Sequence, residues 1–347
     1  MNCCNDLTEG GHLETDSGAF SLAEWWYLNG QLELEAEDGE KRSVGWFSTM
    51  GHQESPSITD GNRQLSHLFK FAALYAEDGT HRFVYDDVYI PRSTIDNAIG
   101  IHKTYLLFHY PDTSSAFFGS AATGYTVNDQ LDNIEFTMFF KPRVKKTLEQ
   151  VTVPLQFTTY EYAGGKIWGT LTIDGKQFWV KRGNAYFDHM IPAADAPWPM
   201  KINGWSWAEV TTPQYVAVIY AVRSLDDGFD AYTYKHLTVL DRKTGAVAAE
   251  FYNEEVEIIE GDWKEETAHG VSRPRSVAYK AGEFKVSVSA DNTATLDRSL
   301  PGLLGFVNFM AFQKKGATIE RGDRTFRGSA FYEYLVSDMG IFRADSK

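Results

Sequence analysis

The stretch Arg182-Gly-Asn-Ala-Tyr-Phe-Asp-His-Met-Ile191 returns later in the chain as Arg327-Gly-Ser-Ala-Phe-Tyr-Glu-Tyr-Leu-Val336. The two decapeptides agree in type at every position: Arg, Gly, small polar, Ala, two aromatics, acid, ring, two aliphatics. Each follows a hairpin signal, in which Asp174-Gly175 or Arg321-Gly322 sits between short β-branched runs. A self-match that occurs once across half a chain predicts a duplicated domain, whereas a solenoid repeats at a shorter, regular period. At 347 residues the chain has the length of two domains.

The rest of the sequence reads as strands. Glu24-Trp-Trp-Tyr-Leu-Asn-Gly-Gln-Leu-Glu-Leu34 alternates from Tyr27 onward as a half-buried strand does. Further strands are expected at 43–50, 68–75, 81–89, 135–140, 152–162 and 166–173, punctuated by turns such as Glu37-Asp38-Gly39 and Glu77-Asp78-Gly79. A second series opens on Trp205-Ser-Trp207 and runs through 215–223, 231–240, 246–252, 255–259, 275–279, 283–290 and 293–296. Only Leu300–Phe312 reads as a helix, or as a lid. The expected fold is all-β: two lipocalin-like antiparallel β-barrel domains from an internal duplication, at 20–192 and 203–340. The Pro-rich stretch Ala193–Pro199 forms the joint between them. If the last strand of each barrel closes against its first, Asp188 comes near Trp25 and Trp26, and Glu333 near Trp205 and Trp207.

Charge and composition narrow the partners. The net charge of −14 repels phosphate backbones, so nucleic acid is not an expected partner. The longest apolar run, 300–312, is too short to span a bilayer. Cys3 and Cys4 are adjacent and offer no disulfide framework. No signal peptide is visible, which suggests a cytoplasmic protein. The excess of rings, with 9 Trp, 18 Tyr and 23 Phe, suits strands and apolar pockets.

Glu24-Trp-Trp-Tyr-Leu-Asn-Gly30, Tyr186-Phe-Asp-His189 and Trp205-Ser-Trp207, in this order, resemble the AttH-like, carotenoid 1,2-hydratase-type group. The Gly328…Glu333 ending is similar to that group's C-terminal strand. The resemblance implies two lipocalin-like barrels joined by a short linker, apolar alkenyl substrates, and no required metal or organic cofactor. The group includes carotenoid hydratases, kievitone-hydratase-like enzymes and fungal pericyclases that form decalin rings. Its hydratases carry His-x-Trp on the first strand of the second barrel and Tyr-x-Asp on a later one. The matching positions here are Trp205-Ser-Trp207 and Tyr232-Thr-Tyr234. A proton shuttle has been replaced by rings, which favours a reaction that needs shape more than proton transfer.

The candidate site residues follow. Asp188 is an acid that an apolar barrel would keep protonated, ready to protonate an alkene or a carbonyl; its structural alternative is a carboxylate bonded to a turn amide or a Trp N–H. Neighbours on a strand point to opposite faces, so Asp188 and His189 do not form a dyad. Glu24 and Glu333 read as buried, hydrogen-bonded structural groups. Trp25, Trp26 and Tyr186 stack on a polyene or pack the core. Trp205 with Trp207, and Tyr232 with Tyr234, are i, i+2 pairs expected to build one aromatic wall near the joint. His52, after a strand, is a candidate hydrogen-bond donor to a substrate carbonyl at the barrel rim. His52, His67, His102 and His109 lack metal-ligand spacing, so no metal and no cofactor are expected. The expected ligand is an apolar small molecule. Three functions fit: cyclisation or cycloaddition of a polyene, hydration of an isoprenoid C=C, and a lipocalin-like carrier without chemistry.

Overall fold

The computed structural model describes residues 9–13, 22–101, 103–111, 114–143, 146–151, 157–192, 202–224, 231–265, 271–299 and 305–336. The joint expected at 193–199 lies outside them. The chain divides into two compact units. One is Met1–Leu74, Phe83–Gln150 and Gln156–Trp198; the other is Tyr75–Arg82, Val151–Leu155 and Pro199–Lys347.

The first sheet uses β1 (Leu22–Ala36), β2 (Lys41–Glu54), β3 (Thr59–Asp60), β4 (Arg63–Ala76), β5 (His81–Pro91) and β6 (Leu106–His109). It continues with β7 (Ala116–Ser120), β8 (Gly124–Leu131), β9 (Ile134–Pro142), β10 (Lys146–Val151), β11 (Phe157–Ile173) and β12 (Lys176–Pro192). Its order is β3-β4-β2-β1-β12-β11-β9-β8-β7-β6, with β5 on β4 and β10 on β11. The second sheet uses β13 (Ile202–Thr211), β14 (Tyr215–Ser224), β15 (Tyr234–Asp241), β16 (Val247–Tyr252) and β17 (Glu257–Gly261). A short ribbon, β18 (Lys264–Glu265) with β19 (Ser272–Arg273), precedes β20 (Ser276–Ala281), β21 (Phe284–Ser289), β22 (Thr293–Ser299), β23 (Gly305–Arg321) and β24 (Arg324–Val336). Its order is β16-β15-β14-β13-β24-β23-β21-β20-β17, with β22 on β23.

Both sheets roll up around side chains. Trp46 on β2 and Phe136 on β9 lie four strands apart in the sheet, which is roughly 19 Å in a flat one. Their ring centroids are 5.0 Å apart. Trp26 on β1 meets Phe108 on β6, six strands away, at 5.7 Å. In the second sheet the Ser206 hydroxyl on β13 lies 2.7 Å from that of Tyr279 on β20, four strands away. The interiors are filled with apolar side chains, among them Leu28, Val44, Phe117 and Leu171 in the first unit and Val210, Ile219, Val286 and Phe309 in the second.

The decapeptides close the two barrels in the same register. β12 pairs with β1 through Trp26↔His189, and β24 pairs with β13 through Ser206↔Tyr334. The next strand out follows suit, with Glu24↔His52 matching Gly204↔Arg223. Asp188 and Glu333 therefore occupy equivalent positions, as a duplicated fold requires. The hairpin into the first decapeptide turns at Asp174 and Gly175, with φ of 52° and 79°. Positive φ at both central residues is what an Asp-Gly two-residue turn supplies.

Two expectations are corrected. The helix or lid read at Leu300–Phe312 is, from Gly305 onward, the start of the 17-residue strand β23; residues 300–304 lie outside the described set. Val307, Phe309 and Ala311 face the barrel core while Met310 and Phe312 are buried on the other face, so the apolar run shows no period of two. The strands expected at 152–162 and 166–173 are joined: β11 runs unbroken from Phe157 to Ile173, with register shifts at Gly165 in place of a turn. Among the described residues the helical turns are short 3-10 segments at Arg92–Asn97 and Asn253–Glu255. None of the described helices is long and apolar enough to cross a membrane.

Candidate functional site

Strand parity decides which residues look into each barrel. On β1, Trp26, Leu28 and Leu32 belong to the first core, so Trp25, Tyr27 and Asn29 point outward. On β12, Ala185 and Phe187 belong to that core. His189 continues the inner face, while Asp188 and Tyr186 point out. Of the Asp188-His189 pair, it is His189 that enters the barrel.

The inner end of the first barrel is a charged plug on Glu24. His12 Nδ1 lies 2.8 Å from Glu24 Oε1, and His189 Nε2 lies 2.7 Å from the same oxygen. The His12 backbone N–H donates to Oε2 at 2.7 Å, and His52 Nε2 lies 2.8 Å from Oε2. Burial opposes the charge on Glu24, but His12 and the three imidazole hydrogen bonds outweigh it and hold the carboxyl well below its usual range. Burial pulls His52 down, but its bonds to Glu24 and to Glu54 carry it up to about 9. Burial holds His189 below its usual value, against the pull of Glu24. The Trp26 ring stacks on His189 at 4.7 Å. His52 therefore lies within β2, fully buried, with both ring nitrogens on carboxylates. The rim position expected for it, free to meet a substrate carbonyl, is corrected on that ground.

The outer face of the first barrel gathers Tyr27, Asn29, Phe47, Thr49, Tyr186 and Asp188 on three adjacent strands. Tyr27 sits between Thr49 and Asp188, and Asn29 between Phe47 and Tyr186. Tyr27 stacks on Phe47 at 5.6 Å, and the Asn29 amide donates to the Tyr27 hydroxyl at 3.4 Å. Asn29 Oδ1 and Thr49 Oγ1 are buried and meet no hydrogen-bond partner among the described residues. Trp25 is half-buried on the same face.

In the second barrel the inner face of β13 is Ser206, Ala208 and Val210, so Trp205 and Trp207 point outward. They are nevertheless only 5% and 3% exposed. Tyr220 and Val222 of β14 lie beside Trp207 and Trp205, and Tyr234 of β15 pairs with Val222. Trp205, Trp207 and Tyr234 thus share one face, as expected from their spacing. Tyr232 does not join them. It precedes β15, so the i, i+2 rule does not reach it. Its hydroxyl donates to Glu260, and the Arg223 guanidinium lies over its ring at 5.0 Å. Arg223 also donates to Tyr334, a core residue, at 2.8 Å.

Two acids flank Trp207 on the outer face. Glu209 is two residues on along β13, and Glu333 is the direct cross-strand neighbour on β24. Burial pushes Glu209 up to about 7, against the hydrogen bond from the Thr211 hydroxyl at 2.5 Å and the charge of Arg242. Burial likewise pushes Glu333 up to about 7, against hydrogen bonds from Asn308 and Trp205. A carboxyl with this value is about half protonated at neutral pH, the range in which a general acid works. Sequence reading missed Glu209, although its spacing from Trp205 and Trp207 places all three on one face. It also missed His12, which has no periodic signal around it.

No family model and no curated protein sequence matches the chain. Solved structures do. An AttH-like protein from Nitrosomonas europaea superposes with a TM-score of 0.66 at 16% identity, covering 94% of this chain and 98% of its own. Kievitone hydratase from Nectria haematococca gives 0.58 at 12% identity, over 97% and 98%. CghA, crystallised with Sch210972, gives 0.61 at 12% identity, over 96% and 93%. In fold, therefore, this chain is all-β and lipocalin-like, similar to these solved structures.

Proposed function

We propose that the protein is an enzyme acting on carbon–carbon double bonds of an apolar small molecule, and that it cyclises a polyene without a cofactor. The observation that carries this reading is the placing of two carboxyls, Glu209 and Glu333, beside Trp207 on an aromatic face, where burial raises both to about 7. Trp205, Trp207 and Tyr234 supply flat apolar walls that hold a flexible chain folded on itself. Ordering two reacting ends in this way contributes several kcal/mol toward a cyclisation. A protonated Glu333 or Glu209 donates a hydrogen bond to a carbonyl conjugated with the polyene and lowers the barrier further. Kievitone hydratase and CghA, which share the fold, support an enzyme over a carrier.

Hydration is the second reading, favoured by the same acids: Glu333 protonates the alkene, the Trp faces hold the cation, and water adds while returning a proton to the Glu333 carboxylate. In the first unit Asp188, beside Tyr27, offers the alternative acid. The test is mass spectrometry on a panel of polyenes bearing a conjugated carbonyl. Cyclisation leaves the mass unchanged with a new retention time, and hydration adds one water. Glu333→Gln lowers turnover in either case. Tight binding of an unchanged polyene without product, in wild type and variant alike, identifies a carrier and overturns the proposal.

A further inference from the structure

We propose that His12, Glu24 and His189 form a binding site for a divalent transition-metal ion at the inner end of the first barrel. The three ligand atoms lie within 4.8 Å of one another. Two imidazoles and one carboxylate are the donor set of zinc and iron(II) sites, and do not suit calcium or magnesium, which take oxygen ligands. A tetrahedral ion with bonds near 2.0 Å separates its ligands by roughly 3.3 Å. The contacts to Glu24 Oε1 are 2.8 Å from His12 Nδ1 and 2.7 Å from His189 Nε2. Opening each by about half an ångström, with the two imidazole nitrogens, now within 4.8 Å, settling to the same spacing, admits an ion in place of the two shared protons.

The surroundings match what a metal site needs beyond its ligands. Glu24 Oε2, the oxygen turned from the ion, is held by His52 at 2.8 Å, and the other nitrogen of His52 rests on Glu54 at 3.2 Å. Such outer partners orient a ligating carboxylate. Stacking on Trp26 at 4.7 Å fixes the plane of His189. His12 is carried in by Glu9–Leu13, which is tied down at several points. The N–H groups of Gly10 and Gly11 donate to the carbonyls of Lys103 and Gly100. The Trp26 indole donates to the Glu9 carbonyl. A Cβ at Gly10 would lie 2.3 Å from the Gly100 oxygen, and one at Gly11 2.5 Å from Ile99 Cγ2. The Gly-Gly pair is thus what allows this close approach and delivers the imidazole that follows it. The His12 side chain keeps 20% of its surface exposed, which gives an ion a way in, while that of Glu24 is sealed. Three protein ligands leave a fourth position for water. The inference does not rest on the reaction proposed above, because these residues face into the barrel and Trp205, Trp207, Glu209 and Glu333 belong to the other unit.

The test uses the full chain, stripped with a chelator, dialysed and titrated with Co²⁺ alone. One equivalent is expected to bind, with visible ligand-field bands, and Zn²⁺ to displace it. Proton NMR of the wild type with Co²⁺ is expected to show shifted His12 and His189 ring resonances. His12→Gln, at the exposed edge of the cluster, is expected to weaken Co²⁺ at least about tenfold. Absence of stoichiometric Co²⁺, or unshifted His12 and His189 resonances, overturns the proposal and leaves a hydrogen-bonded plug. Equal affinity in His12→Gln also overturns it.

Discussion

Replacing Glu209 with Gln stabilises the second barrel at pH 8 and leaves it nearly unchanged at pH 4. Glu209 is 4% exposed, and burial raises its carboxyl from an ordinary 4.5 to about 7. A raised carboxyl stabilises the folded state through its protonated form. That contribution is complete below the unfolded value of 4.5 and is lost as the pH climbs through 7. The gap between about 7 and 4.5, at ~1.4 kcal/mol per pH unit, is about 3 kcal/mol and serves as an upper bound. Glutamine has the same shape and still accepts from the Thr211 hydroxyl, but it never ionises. Variant and wild type therefore match at pH 4 to within the ~0.5 kcal/mol of a neutral substitution. The difference then grows by about 3 kcal/mol in favour of the variant by pH 8. Urea unfolding followed by tryptophan fluorescence at pH 4, 5.5, 7 and 8 reads it directly. A gain that is flat across this range, or a loss at pH 8, means that Glu209 does not carry a raised pKa. The neutral acid in the functional proposal would then lack its basis.

Three further outcomes are expected. Trp207→Ala lowers turnover per folded molecule at least about tenfold if the ring orders a reactive conformer. A loss of about 3–5 kcal/mol in stability with turnover per folded molecule retained assigns Trp207 to packing alone, and activity with thermal midpoint on one preparation separates the two. Lys70→Met costs about 3–5 kcal/mol because it strands Asp129, its partner at 2.7 Å inside the first barrel. Adding Asp129→Leu recovers most of that loss in chemical denaturation; a double variant no better than the single refutes the pairing. Chelator treatment leaves turnover per folded molecule unchanged, because the proposed reaction runs on Glu333, Glu209 and ring positioning; activity restored only by added metal contradicts this.

The duplication was legible because two decapeptides repeat every residue type, and barrel closure in a common register follows from that repeat. The β-strands were legible where one face is buried and the other wet. Legibility failed at 307–312, where both faces are buried and the period of two vanishes from the sequence. Parity alone showed that Asp188 and His189 face opposite ways, and it grouped Trp205 with Trp207. Which face is inner depends on the sheet's curl, a long-range property absent from any local pattern. Tyr232 and Tyr234 were grouped wrongly because only Tyr234 lies in a strand. The Glu24 plug was invisible for another reason: His12, Glu24, His52 and His189 come from four segments, and no spacing rule links them.

The equivalent ends of the two barrels are built on different buried ions, the Glu24 carboxylate in the first and the Arg223 guanidinium in the second. Where the first has Glu24 held by His52 and His189, the second has Gly204, Arg223 and Tyr334. A chain with two near-copies of the same closing strand faces a matching problem while it folds, since either copy fits either slot in backbone terms. The plugs break that tie. A β24 closing the first barrel would set the Tyr334 phenol against Glu24 in place of the His189 imidazole. A β12 closing the second would set His189 against Arg223 in place of the phenol that now accepts its hydrogen bond. Each wrong closure sets a ring of the wrong reach against a buried ion, the longer phenol overrunning the imidazole's place beside Glu24 and the shorter imidazole falling short of Arg223, so the strands carry an address in side-chain length, and misassembly between the twin sheets is penalised at the last strand to close.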